Sequence, residues 1–337
     1  MSIEKRIGII ILAILVFTSL IYFTSSKKID RNFEKENYVS VPAPEISTPN
    51  GFVNTDGEEI TLAGYQGKKV VLLDIWTYSC INCQRTIPYL NDWYEKYSDK
   101  GLEIVGLHTP EFAFEHKIEN VQDAVDRFEI KYPVVLDNDY STWRALGNQY
   151  WPRKYLIDLE GNIIYDHIGE GDYEETEKAI QKALGISSEI DNSNLENVVS
   201  VEREKVGSHE IYFGASRNER LSNGIPSRLG IQDLIIPETT FPNLLYLDGQ
   251  WNIDSEYSET VSSGKIQFNF SAKNVYMVLS AEENIQAQIY IDGEFYKNLD
   301  VHDEKLYSIF EGENYGQYDL EIRISESGFK AFTFTFG

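Results

Sequence analysis

The hydrophobic period of this 337-residue chain changes once, and that change limits the folds open to it. Over residues 44–185, apolar runs alternate with stretches of helical period. VVLLDIW, residues 70–76, is an unbroken apolar run and reads as a strand buried on both faces. A helix is expected from near residue 80 to about 98, with Gly101 beyond its end. LEIVGLHT is a second buried strand, 121–128 a short amphipathic helix, YPVVLD a strand and 142–150 a helix. KYLIDLEGNIIYDHIG reads as a hairpin turning at Leu159-Glu160-Gly161-Asn162, and 173–184 as a closing helix ended by Gly185. Such alternation predicts an α/β layering about a central sheet. Past residue 187 helical period almost vanishes. KIQFNFSA, NVYMVLSA, IQAQIYIDG, YDLEIRIS and KAFTFTFG alternate with period two, and Asp292-Gly293 is a hairpin signal. That half is expected to be an all-β, jelly-roll-like sandwich.

The N-terminus sets the compartment. Residues 7–23, IGIIILAILVFTSLIYF, are uncharged, with Lys5 and Arg6 before them and Lys27 and Lys28 after. This is the short edge of a membrane span. No A-x-A-like cleavage site follows, so a single-pass anchor is expected; a cleaved signal peptide is the alternative. Either way the bulk of the chain lies outside the cytoplasm. The expected organisation is 1–25 anchor or signal, 26–43 polar tether, 44–186 α/β domain, 187–200 linker and 201–337 β-domain. The net charge of -24 repels nucleic acid and anionic lipid, which excludes both as partner surfaces.

The chain has two cysteines, Cys80 and Cys83, in WTYSCINC. Structural disulfides of exported proteins come in several pairs far apart in sequence. A C-x-x-C pair closes too small a loop to stabilise much, so this pair reads as chemistry. A strand ending just before a cysteine at a helix start favours the thiolate, through free amides and the helix dipole. In such motifs the thiol pKa falls to about 3.5–7.5. Cys83, one turn on, is placed to resolve a mixed disulfide. No metal or organic cofactor is needed. A zinc site would need two more ligands, and His108, His116, His167, His209 and His302 do not pair at ligand spacing. Thr77-x-x-Cys80 resembles the T-x-x-C of peroxiredoxins, but Leu73 stands where that family has proline.

DIWTYSCINC resembles the strand-loop-helix of the thioredoxin superfamily. The resemblance assigns Asp74 as the buried acid that takes the proton of the resolving thiol, with a structural carboxylate as the alternative. Trp76 and Pro88 match the family's tryptophan and helix-kinking proline. Trp151-Pro152 matches its cis-proline, whose preceding residue presents backbone to a bound peptide; a simple turn is the alternative. Trp76, Trp151 and Pro152 are therefore the substrate-binding candidates. Glu111, in HTPEF, matches an acidic residue near the cysteines in the TlpA/ResA group, or else lies in a surface loop. WTYSCINC, HTPEFAFE, YPVVLDND, NQYWPRKYLID and HIGEGDYEE together resemble the exported redox region of DipZ-type proteins. EIYFGASRNER, LDGQW, IYIDG and FTFTFG extend that likeness over their carbohydrate-binding-module-like sandwich. DipZ-type proteins carry a multi-span CcdA-like domain in front, and this chain has one hydrophobic segment instead.

The resemblance implies a membrane-tethered thiol-disulfide oxidoreductase that reduces exported protein disulfides. Its electrons would come from a separate CcdA-type membrane donor. Two alternatives stay open. One is a disulfide oxidase or isomerase, which Ile81-Asn82 does not decide. The other is a carbohydrate- or wall-binding protein with the redox domain as passenger, using Trp251, Tyr257 and Tyr276 as sugar platforms unless these are core.

Overall fold

Strand β3 (Val70–Trp76) is buried at every position, as its unbroken apolar run requires. The computed structural model describes residues 40–195 and 201–337. The anchor expected at 7–23 lies outside them. No helix among the described residues is long and apolar enough to cross a membrane. The other strands of the first half are β1 (Val41–Pro42), β2 (Gly51–Val53), β4 (Leu102–His108), β5 (Val134–Leu136), β6 (Arg153–Ile157) and β7 (Asn162–Ile168). They form one seven-stranded sheet in the order β1-β7-β6-β3-β4-β5-β2. β3 runs parallel to β4 and antiparallel to β6.

Five helices accompany this sheet: α1 (Leu62–Tyr65), α2 (Ile81–Tyr97), α3 (Ile118–Arg127), α4 (Ser141–Ala145) and α5 (Tyr173–Ala183). Leu72, Trp76 and Leu156 face a core shared with Leu90 of α2 and Ile180 of α5. Val71, Leu73 and Ile75 face the opposite core, with Leu62 of α1 and Trp143 of α4. Gly106 stands beside Trp76 on the neighbouring strand; a Cβ there would lie 2.9 Å from the indole nitrogen.

Two helices differ from expectation. The helix expected at 142–150 stops at Ala145, because Gly147 takes φ of +59°. Its amide and that of Asn148 return to Arg144 and Trp143, a left-handed C-terminal cap. The helix expected at 121–128 begins earlier, at Ile118, whose side chain is more than a third exposed. The pattern of buried positions therefore starts only at Val121.

The second half is all β, as its period predicts. Its strands are β8 (Ile211–Tyr212), β9 (Gly230–Leu234), β10 (Leu245–Ile253), β11 (Ser258–Ser280), β12 (Ile285–Ile291), β13 (Glu294–Val301), β14 (Lys305–Ile324) and β15 (Lys330–Phe336). They hydrogen-bond as one eight-stranded sheet rather than two separately paired ones. β11 and β14 are 23 and 20 residues long. Ala331 of β15 pairs with both Ser258 and Leu279, the two ends of β11. That curls the sheet around a core holding Phe268, Met277 and Phe334.

Residues Val41–Gly337 form one unit. Phe332 of β15 joins the core of the α/β half, edge-on to Phe112 at 5.2 Å and Phe114 at 5.1 Å. Tyr257 covers the same ring at 5.2 Å. Polar contacts flank this seam: Ala113 N donates to Glu256 Oε2 at 2.9 Å, and Asn120 Nδ2 to Glu304 Oε2 at 3.0 Å. Truncating a buried phenylalanine costs about 3–5 kcal/mol. Phe332→Ala should destabilise by that amount and split one urea transition into two. Fluorescence dominated by the four tryptophans of the first half, followed beside a β-sheet signal, would report it. Coincident transitions in the variant would mean that the halves are coupled elsewhere.

Candidate active site

β3 delivers the chain to Trp76, and Thr77–Ser79 turn it into α2. Cys80 is the N-cap of that helix, at φ -77° and ψ 116°. The amide of Cys83 donates to Cys80 Sγ at 3.4 Å, so a free helix-start N–H points at the sulfur. Both cysteines are free thiols; Cys80 is half-buried and Cys83 fully buried beneath it. Pro88 lies inside α2, as expected.

The turn before Cys80 is clamped by a buried carboxylate. Glu115 Oε1 accepts from Ser79 N at 3.2 Å and from Ser79 Oγ at 2.6 Å. Its Oε2 accepts from the amides of Glu111 and Phe112. Burial pushes the Glu115 carboxyl up, and the hydroxyls of Ser79 and Thr77 pull it partly back. One side chain thus ties the cysteine turn to the loop after β4.

Below the cysteines the sheet carries two buried charges. Asp74 of β3 and Lys154 of β6 occupy directly opposed ladder positions, so both project from one face. Both are fully buried. Burial pushes the Asp74 carboxyl up to about 6, against the pull of the Lys154 ammonium. Burial likewise lowers Lys154, which Asp74 opposes. Asp74 Oδ1 has no hydrogen-bond partner, and Lys154 Nζ donates to Gly169 O at 3.1 Å. Cys83 is raised well above the ordinary thiol value, first by burial, then by Cys80, with Asp74 adding to it. The neighbouring His108 is driven down to about 3 by burial and stays neutral.

A cleft of about 780 Å³ opens over Cys80. From the α/β half it is lined by Ser79, Cys80, Asn82, Glu111, Tyr150 and Trp151. From the β-domain it is lined by Tyr212, Arg217, Val278, Thr333 and Phe336, among others. The Trp151–Pro152 peptide bond is cis. Trp151 donates through Nε1 to Thr109 O at 3.0 Å and packs on Trp143, with ring centroids 4.3 Å apart.

Residues 39–184 match the family model described as Redoxin, and residues 208–337 match the thioredoxin-like C-terminal domain. Protein DipZ of Mycobacterium tuberculosis is 33% identical over 302 residues, which are 88% of this chain and 43% of DipZ. The chain is similar to the thioredoxin-like thiol-disulfide oxidoreductases over both matched regions. It spans less than half the length of that DipZ relative. The thiol-disulfide oxidoreductase ResA of Bacillus thuringiensis is 29% identical over 161 residues, covering 48% of this chain and 83% of ResA. Among solved structures, a thiol:disulfide interchange protein from a Bacteroides species is similar at 25% identity and a TM-score of 0.35. It matches over 42% of this chain and 90% of its own.

For a thioredoxin-like chain, the expected residues gather unevenly. Cys80, Cys83 and Asp74 come together in one layer. Trp151 and Glu111 line the cleft, and the cis bond stands where expected. Trp76 is a correction: as a substrate-binding residue it fails, because it is 1% exposed and packed edge-on to His108 at 5.1 Å. Glu111 is no loose surface acid. Its Oε1 accepts from Arg217 Nη1 at 2.8 Å and from Tyr212 OH at 3.0 Å, both on the β-domain. The candidate sugar platforms are used in packing. Trp251 is buried in the β core, Tyr257 covers Phe332, and Tyr276 lies under the Arg85 guanidinium at 5.6 Å.

Sequence reasoning missed Lys154, Glu115 and Arg217. Lys154 left one signal, a lysine inside the apolar strand RKYLI; the other two left none near the cysteines.

Asp74 gives a signed prediction. Its folded carboxyl holds its proton up to about 6, against an ordinary 3.8. Between those values the folded chain binds the extra proton, so the wild type loses stability as pH rises through the window. Asparagine has no such charge. Relative to wild type, Asp74→Asn should gain on the order of 2–3 kcal/mol between pH 4 and pH 7.5 in urea unfolding. A difference flat with pH would remove the buried-charge assignment.

Proposed function

We propose that this protein reduces disulfides of exported proteins while tethered to the membrane by residues 7–23, with both described halves outside the cytoplasm. The observation that carries the reading is the half-buried Cys80 sulfur at a helix start, with Cys83 one turn below it. The Cys80 thiolate attacks one sulfur of the substrate disulfide and expels the other as a thiolate. A mixed disulfide then joins Cys80 to the substrate. Cys83 loses its proton and attacks Cys80 Sγ, which releases the second substrate thiol and leaves a Cys80–Cys83 disulfide. Two electrons pass from the dithiol to the substrate. An external dithiol restores the pair, in the manner of a CcdA-type membrane donor, and no cofactor takes part.

Asp74 supports the reductive direction. Cys83 is hard to ionise where it lies, and a carboxylate that is already charged at pH 7 is the nearby group that takes its proton. The alternative is an oxidase or isomerase of the same disulfides. A reduction potential near about -270 mV favours the reductase, and one near about -120 mV the oxidase. The β-domain is read as a jelly-roll-like sandwich folded from the continuous sheet.

Cys80→Ser should abolish reduction of insulin disulfides. Cys83→Ser should accumulate mixed disulfides visible on non-reducing gels. Normal turnover by either variant would remove the mechanism. Asp74→Asn should slow reduction at pH 7 by about tenfold or more and lose the rise in rate that the wild type shows through pH 6. An equal rate and an unchanged profile would leave Asp74 a structural carboxylate.

A further inference from the structure

The β-domain supplies more than half of the residues that wall the cleft above Cys80, and its attachment there is not a hinge. Phe332 and Val278 belong to the core of the α/β half. Two arginines from beyond the linker, on the cleft wall, each grip a glutamate of the α/β half. Arg217 Nη1 lies 2.8 Å from Glu111 Oε1. Arg203 Nη2 donates to Glu170 O at 2.9 Å, with Glu170 Oε1 at 3.6 Å. All four residues line the cleft. Apolar core at the seam and two charged clasps at the cleft leave no simple way for the wall to swing aside.

This geometry restricts what reaches the sulfur. A partner that docks through a folded face buries about 800 Å² on each side. The β-domain stands over Cys80 and occupies ground that such a face would need to reach the sulfur. A cleft of about 780 Å³ is instead the size of pockets that enclose a short segment or small molecule. Arg217 is also more than a clasp. Its guanidinium lies 3.8 Å over the Tyr212 ring, and its side chain is 39% exposed. A guanidinium has five N–H donors in a fork, and Glu111 engages Nη1. The remaining donors are open to a main-chain carbonyl of a chain lying in the cleft.

We infer that the β-domain is the second wall of the substrate site, and that Arg217 is a specificity-determining residue within it. The site admits a disulfide carried on an extended, loosely folded segment and refuses one set in the face of a folded domain. The inference rests on the reductase reading above and names its substrate class.

The test uses the full chain and three probes: a small aromatic disulfide, a linear peptide joined to glutathione by one disulfide, and a folded domain with one exposed disulfide. Wild type should favour the peptide over the folded domain by about tenfold or more in kcat/KM. Arg217→Met removes the charged donor and should lower the peptide-to-small-disulfide ratio of kcat/KM by about tenfold, the worth of one charge-assisted hydrogen bond. His209→Trp places a ring at an exposed position on the same wall, removes no core contact, and should lower the ratio in the same direction. If both variants keep the ratio within about twofold, or wild type reduces the folded domain as fast as the peptide, the inference is overturned and the reductase reading stands. A wild type inactive on all three probes overturns the reductase reading itself, and the inference with it.

Discussion

Ile81, Asn82 and Cys83 open a 17-residue helix whose first amides have no carbonyl within the helix to bond, and Cys80 sets its sulfur in front of them. That arrangement needs the chain to leave the sheet in one direction and start the helix at one residue. β3 provides the first, because it is buried at all seven positions between β4 and β6 and cannot slip. Glu115 provides the second, by taking the amide and hydroxyl of Ser79 on one oxygen and two amides of the next loop on the other. A neutral side chain there would leave buried amides facing a weaker acceptor.

The same strand that aims the sulfur also places Asp74 inside the protein. Burying one carboxylate alone is costly, and Lys154 opposite it lowers that cost without removing it. The carboxyl remains far above its ordinary range. A chain selected for stability alone would have an apolar pair at these two ladder positions, as Leu72 and Leu156 are two residues away. The retained charge fits the chemistry of Cys83, which is itself buried and reluctant to ionise.

Much of this was legible from period and spacing. Strands β3 and β4, helix α2 and the all-β second half follow from unbroken apolar runs and from the switch to period two. The cysteine pair, Asp74 and the cis bond at Trp151-Pro152 followed from spacing and family likeness. What escaped was set by tertiary contact. Trp76 looks like a surface aromatic beside an active site, yet Gly106 on the neighbouring strand makes room for it inside. Glu115 is 35 residues from Cys80 in sequence, and only the fold of the loop after β4 brings it to Ser79. The end of α4 depended on one left-handed glycine, a signal too small to outweigh the polar and aromatic residues around it.

The seam between the halves bears on how such a chain is divided into parts. A boundary near residue 190 suits the change in hydrophobic period, and the two matched family regions fall on either side of it. Yet the ring of Phe332, five residues from the last position of the chain, is enclosed by Phe112 and Phe114 of the α/β half. Cut at the linker, each half would expose apolar surface that the other now covers, and Glu111 would lose the arginine that fixes it beside Cys80. The redox half is therefore incomplete as a binding surface without the β-domain, even though every sulfur and every buried acid of the proposed reaction lies within it.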